Sequence, residues 1–371
     1  MGRKGIFMSL YNHNNIIFLI MKQNFFTSMF LFLCSLLSAQ TYHTVDNAPG
    51  SVADFTEVKD AITAAADGDV ILVQGSSETY VNFDVTKRLT IIGPGYFLGQ
   101  NDAPFSQANK VSATVSQFRV QTGGSGSIIS GFTVRNPSAS GASNVIFRNL
   151  YVPTGGAYFN ATNSTNITVE KCYLMNSFKT QKSSVVYRQN IVVITGRLFS
   201  FGIDEGTISL ENNTIIKAND NALFIDENHE SQFSTLYGNI IYANDFDFEE
   251  PTSNVMDHNL FITDEADAAA IAVMQSGNNS IIPTSQASQV FVGFPDGAGM
   301  SPDEIYKLKT GSPAIDADED GNNQGAFQEE GGYVLSGIPF IPNIYKLEVS
   351  ETGTTQDGIK ITIGARANAD Q

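Results

Sequence analysis

One column of residues limits what this chain can fold into more than any other feature. With a reference position on Phe132, Leu150, Cys172, Asn190, Asn213, Asn239 and Asn259, the chain advances by 18, 22, 18, 23, 26 and 20 residues. Three places before the reference stand Ile129, Phe147, Val169, Tyr187, Leu210, Leu236 and Met256. Two places after it stand Val134, Val152, Leu174, Val192, Ile215, Ile241 and Phe261. All are apolar or aromatic. A period of about 21 residues, with short β-branched segments and no helical spacing, predicts a solenoid of strands with one coil per repeat.

The asparagines look like a fault in such a pattern, because a buried amide without partners costs about 1–3 kcal/mol. Stacking removes the difficulty. In successive coils the same position recurs about 4.8 Å further along the axis, so an inward amide can bond the amide of the next coil. Asn190, Asn213, Asn239 and Asn259 are therefore expected to form a structural ladder. Cys172 occupies the same column and is expected to be a buried small hydrophobe rather than a reactive thiol. Two places before the reference, Arg148, Glu170, Arg188 and Glu211 alternate in sign. That order predicts cross-strand ion pairs on an exposed face, which set register rather than bind substrate.

The chain also resembles a family of secreted bacterial proteins with a right-handed parallel β-helix, the pectate-lyase-like fold. The resemblance covers about residues 45 to 335. It rests on the repeats, on GDVILVQGSSETY (68 to 80) followed by LTIIGPG (89 to 95), and on SGFTVRN (130 to 136). LKTGSPAIDADEDGNNQGAF (308 to 327) and YVLSGIPFIPNIY (333 to 345) resemble the end segment of a subset of these proteins. The fold class this implies is all-β, a right-handed parallel β-helix with covered ends. These motifs specify the fold and say little about activity.

Three parts are expected. Residues 1–40 read as a signal peptide, whose start is Met1 or Met21: a charged beginning, the apolar run Phe25 to Leu37, then small residues. That run is too short for a membrane span, and Leu33 before Cys34 argues against a lipid anchor. Residues 41–335 read as the β-helix. Within them Asp54 and Glu57 stand in a capping-box relation, and Phe55, Val58, Ile62 and Ala65 share one helical face, which predicts a short helix over 55–66 closing the first coil. Residues 336–371 read as a Pro-containing link, SGIPFIPN, followed by two strands, YKLEVS and GIKITIGA.

The net charge is −17. Loss of residues 1–40 removes Arg3, Lys4 and Lys22 and no acid, leaving the mature chain more acidic still. Nucleic acid and anionic membrane are poor partners for such a surface. Cys172 alone would survive maturation, which excludes an internal disulfide even in an oxidising, exported setting. Asn-x-Ser/Thr triplets at Asn160 and Asn163 read as turn residues.

An enzyme of this fold needs either a cationic base with a calcium-held uronate or converging carboxylates. No catalytic signature of those kinds matches here. Three weaker constellations remain. Asp220, Asp226, Glu227, His229 and Glu230 crowd one segment, NDNALFIDENHE, as a metal or acid–base site would or as a solvated loop does. Asp316, Asp318 and Asp320 imitate the start of a calcium loop, but Phe327 stands where its bidentate acid is required; calcium in another geometry, or a turn held by Asx bonds, are the two readings.

The third constellation is an apolar outer strip. It comprises Thr133, Tyr151, Tyr173, Ile191, Thr214, Ile240 and Leu260, together with Arg135, Pro153, Met175, Val193, Ile216, Tyr242 and Ile262. Such a strip should be covered by the chain's own C-terminal segment or loops, or should bind a partner. Tyr151, Tyr173 and Tyr242 are the candidate stacking platform for a glycan. The expected function is an exported, non-catalytic interaction or adhesion scaffold at the cell surface or outside it, with an extracellular polysaccharide or a surface protein as partner. The alternative is a polysaccharide lyase or glycoside hydrolase acting on an acidic polysaccharide.

Overall fold

The computed structural model describes residues 40–154, 159–175, 177–195, 198, 206–217, 223–225, 232–248, 256–350, 352–353 and 358–366. The chain divides into two units, Met1–Thr41 and Tyr42–Gln371, and the solenoid belongs to the second. Of the expected leader, residues 1–40, all but residue 40 lie outside the described residues.

Residues apolar at alternate places make strands with one buried face, and a repeat of such strands can bury that face only by winding around it. The result is a parallel β-helix. Its first ladder has ten strands, running from Tyr42–Val45 through Val70–Val73, Ile167–Glu170 and Ser184–Arg188 to Met256–Asp257. The second runs from Ala113–Gln121 and Phe132–Ser140 through Ile191–Ile194 and Thr214–Lys217 to Ser280–Ile282. Those two opening strands are long and turn a corner. Their far halves join Phe83–Val85, Phe159–Thr162 and Phe178–Gln181 in a third face. All these pairings are parallel, and crossovers between parallel strands of one sheet are right-handed almost without exception.

Register is set by the apolar columns. Phe147 pairs with Ile129 and Val169, Tyr187 with Val169 and Leu210, and Leu236 with Leu210 and Met256. The other column pairs as Val152, Leu174, Val192, Ile215, Ile241 and Phe261 in order, and Ile281 extends it. The early coils are filled by rings. Phe83 stacks on Phe118 at 5.4 Å, Phe147 meets Phe159 edge-on at 5.0 Å, and Phe178 stacks on Tyr187 at 4.0 Å.

Between the first and second ladders the chain turns through a single residue, which is Gly131, Asn149, Lys171, Gln189, Asn212, Gly238 and His258 in successive coils. Each has φ between 52° and 80°. The left-handed conformation costs a side-chain-bearing residue about 1–2 kcal/mol, so closure of the coil imposes it. The turn also takes the next backbone N–H away from a strand partner. The asparagine one coil onward supplies one: Asn190 Oδ1 accepts from Cys172 N at 2.9 Å, Asn213 Oδ1 from Asn190 N at 3.0 Å, Asn239 Oδ1 from Asn213 N at 2.8 Å and Asn259 Oδ1 from Asn239 N at 2.9 Å. Each Nδ2 then donates to the next amide oxygen in the file, at 2.9–3.0 Å, and to a carbonyl of the preceding coil: Val169, Tyr187, Leu210 and Leu236. All four side chains are 0 % exposed. Asn279 is a fifth rung, accepting from Asn259 N and Nδ2.

Cys172 is more than a small hydrophobe. Its Sγ accepts from Leu150 N at 3.4 Å and lies 3.7 Å from Phe147 O, the same two positions relative to its coil that each asparagine serves. The thiol is a weak rung at the head of the file, and burial pushes it up to about 12, far from reactive.

The first coil is closed by a helix over Val58–Ala64, shorter than the 55–66 expected. The capping box does not form. The Asp54 carboxylate is taken by Thr44 N and Oγ1, and Glu57 accepts from Val81 N. Both acids tie the cap to strands, and Glu57 stands at the helix N-cap without a side-chain bond there. At the far end, Ile344–Glu348 and Ile361–Ala365 lie within two antiparallel strands, Asn343–Val349 and Ile361–Arg366, close to the expected hairpin.

Candidate functional site

The outer strip of the second ladder is roofed. A second core, separate from the one inside the coils, gathers Tyr173, Ile191, Ile216, Ile240, Leu260 and Ile262 under Ala287, Val290, Phe291, Tyr306, Ala326 and Tyr333, with Tyr96 and Phe97 at its front. Of the covers the sequence suggests, the chain's own C-terminal segment or loops, the one found is the segment 287–333. The physical reason is supply. Residues 287–333 bring their own apolar and aromatic side chains to the strip, whereas the terminal hairpin leaves Ile344, Leu347, Val349, Ile361 and Ile363 exposed.

The tyrosine platform is consumed by this packing. Tyr173 is 4 % exposed and meets Phe97 edge-on at 5.4 Å. Tyr151 is half-buried against Phe97 at 4.8 Å, with its hydroxyl on Met175 Sδ, and Tyr242 is half-buried against Phe294 at 4.8 Å. These rings help hold the roof to the coils, and of the three only Tyr173 is fully buried.

Beneath the roof lies a carboxylate that sequence reasoning missed. Asp303 is 0 % exposed. Its Oδ1 accepts from Asn101 Nδ2 at 3.0 Å and lies 2.7 Å from Ser301 Oγ. Its Oδ2 accepts from Ser336 N at 2.7 Å and from Tyr333 OH at 3.3 Å. Tyr96 OH sits 2.7 Å from Tyr333 OH. Burial, with the nearby Asp303 charge, holds the Tyr96 phenol well above its ordinary range, and burial with the Tyr96 and Asp303 neighbours does the same at Tyr333. The phenols therefore stay protonated. One carboxylate thus clamps three separate stretches of chain, around 96–101, 301–303 and 333–336. Sealed from solvent, it can lock the roof but cannot reach a substrate.

The alternating charges are also less exposed than expected. Glu170 is 1 % exposed, held by Arg148 Nε at 2.5 Å and Arg188 Nε at 2.7 Å. Burial pushes its carboxyl up, but the Arg148 charge and the Arg188 hydrogen bond outweigh that and leave it below the ordinary carboxylate value. The link after the roof explains the burial: Phe340 places its ring 5.1 Å from Lys171 Nζ and 5.8 Å from the Arg148 guanidinium, and Asn149 Nδ2 donates to Ile338 O. Burial raises the next acid in the column, Glu211, with Arg188 pulling the other way.

Asp316, Asp318 and Asp320 do not form a metal cradle. Asp318 Oδ1 accepts from Asp320 N and Asn322 N and its Oδ2 from Asn322 Nδ2, an Asx network that spends this one carboxylate on the turn itself, and Asp316 N donates to Asn323 Oδ1. Among the described residues no three His, Cys, Asp or Glu side chains gather as a metal site. Asp220, Asp226, Glu227, His229 and Glu230 lie outside the described residues. Among the described residues no helix is long and apolar enough to cross a membrane.

No protein-family model matches the chain. No curated protein matches it. Among solved structures it is similar to one described as the crystal structure of pectate lyase Pel9A, at 13% identity over 79% of this chain and 98% of that one, with a TM-score of 0.38. A likeness of that size carries no argument about activity; the β-helix itself stands on the strand pairing above.

Proposed function

We propose that this chain is an exported, non-catalytic scaffold: an acidic β-helix that meets an extracellular polysaccharide or a surface protein. The observation that supports it is the use to which its ionisable groups are put. Glu170 fixes register between two arginines, Asp303 clamps the roof, Asp318 holds its own turn, and Asp54 and Glu57 tie down the first coil. Among the described residues the buried acids Asp69, Glu170 and Asp303 are all occupied by structural partners, which is the arrangement of a rigid support rather than of a group poised to move a proton.

The test is an assay for unsaturated products and for released reducing sugar over a panel of acidic polysaccharides, with and without calcium, paired with binding of the same panel. Binding without turnover is the expected result. Turnover that is lost in Asp220→Asn, Asp226→Asn or His229→Ala would replace the scaffold by a lyase or hydrolase.

A further inference from the structure

The C-terminal hairpin is built with its polarity reversed. Cross-strand pairs place Leu347 opposite Ile363 and Val349 opposite Ile361 on one face, and Ile344 opposite Ala365 continues that face past a bulge. Ile344, Leu347, Val349, Ile361 and Ile363, with Ile359 beside them, are 46–63 % exposed. The opposite face carries Asn343, Lys346, Glu348, Thr362, Gly364 and Arg366, and its Asn343 and Arg366 end is the part turned to the body. Asn343 is buried, the Arg366 guanidinium lies 5.4 Å from the Phe105 ring, and Ala108 N donates to Ile344 O. Strand register ordinarily sends the apolar set to the buried side. Here it sends the polar set there and leaves the aliphatic one outside.

We propose that this aliphatic face is the interface for a second copy of the chain, the two hairpins stacking face to face about a two-fold axis. Three considerations select that occupant. A two-stranded hairpin is marginal in water unless a further layer covers it, and a second hairpin supplies that layer at the usual sheet spacing of about 10 Å. Charge is the second. Residues 343–366 balance Lys346, Lys360 and Arg366 against Glu348, Glu351 and Asp357, within a chain whose net charge is −17. Two such acidic bodies repel over most of their surface, and the neutral hairpin is where they can meet. Area is the third. Six aliphatic side chains at this exposure form a patch on the order of 500 Å², the upper range for a monomer. Self-pairing buries about 1,000 Å² in total, the threshold for a specific contact. A two-fold interface needs one self-complementary patch only, and this face provides it.

The experiment is sedimentation of the full chain from about 1 to 100 μM, with Leu347→Glu/Ile363→Glu as the disrupting variant. Both positions are more than half exposed in one chain, so the variant should keep the wild-type melting temperature. The wild type should shift towards twice the mass of one chain, and the variant should associate at least about 100-fold more weakly. A second reading needs no disruption: Ile363→Cys, in a Cys34→Ser background, should be joined into a covalent dimer by a bis-maleimide whose reach matches the sheet spacing of about 10 Å, a span too long for a direct disulfide. A wild type that stays monomeric throughout assigns the face to another partner and overturns the proposal. So does a dimer that survives the double substitution, or an Ile363→Cys chain that does not cross-link. None of these outcomes bears on whether the scaffold turns over a polysaccharide.

Discussion

Asn213→Leu is the most informative single change in this fold. Leucine keeps the branched outline of asparagine but is larger, so the substitution removes every hydrogen bond of the amide and adds overpacking in a fully buried column. Asn213 Oδ1 accepts from Asn190 N and Nδ2, and its Nδ2 donates to Tyr187 O and Asn239 Oδ1. Of the four partners, Asn190 Nδ2 keeps Val169 O and Asn239 Oδ1 keeps the backbone N–H of residue 213. The Asn190 N–H and the Tyr187 carbonyl lose the amide in a dry interior, at about 1–3 kcal/mol each, so the variant should be about 2–6 kcal/mol less stable. Urea unfolding measures this as a lower midpoint with an unchanged slope. Asn190→Leu should behave alike. The two side chains share one bond, so the double variant should lose about 1 kcal/mol less than the sum of the singles. A cost below about 1 kcal/mol for Asn213→Leu, or strict additivity of the pair, would refute the reasoning that these amides are one connected file.

Glu170→Gln should lower stability near neutral pH by about 1–3 kcal/mol, since a buried charged acceptor shared by Arg148 and the half-exposed Arg188 becomes neutral. The folded carboxyl lies below its unfolded value of 4.5, so its contribution is full above that value and is lost as pH falls through the folded one; the gap between wild type and variant should close in acid, as melting curves at several pH values would show. Asp303→Ala takes the acceptor from Asn101, Ser336 N and Tyr333 at once, and should raise hydrophobic-dye binding above the wild-type level by loosening the roof, with no change in dye signal counting against the clamp. In a Cys34→Ser background, Cys172 should resist a thiol reagent at pH 8 until the protein unfolds, because its thiol is buried and pushed up to about 12; rapid labelling of the native chain would contradict its place in the file.

The coils were legible because each repeat must satisfy the same geometry: apolar residues at fixed offsets, one turn residue and one inward amide. Even so, Asn279 escaped the column, since Ser276 interrupts the apolar position three places before it. The helix Ala268–Met274 was also passed over, although Asp267 stands at its N-cap and accepts from Ala269 N and Ala270 N. Strand periodicity was the pattern in view, and an alanine run does not interrupt it. The outer strip was legible as a face needing a cover. Its cover was not, because Asp303, Asn101 and Ser336 stand in no periodic relation to one another and meet only through the tertiary fold. The packing of Tyr151, Tyr173 and Tyr242 is hidden for a related reason: outward from a coil is not outward from the protein once a second layer packs on it.

The amide file is tested most directly by its amide-to-amide separations, which crystallography measures. The expected Nδ2–Oδ1 distances are 2.9–3.0 Å between successive members of Asn190, Asn213, Asn239, Asn259 and Asn279, in single file at one strand spacing, about 4.8 Å. Asparagines scattered to different corners of the coil, or pointing to solvent, would contradict it.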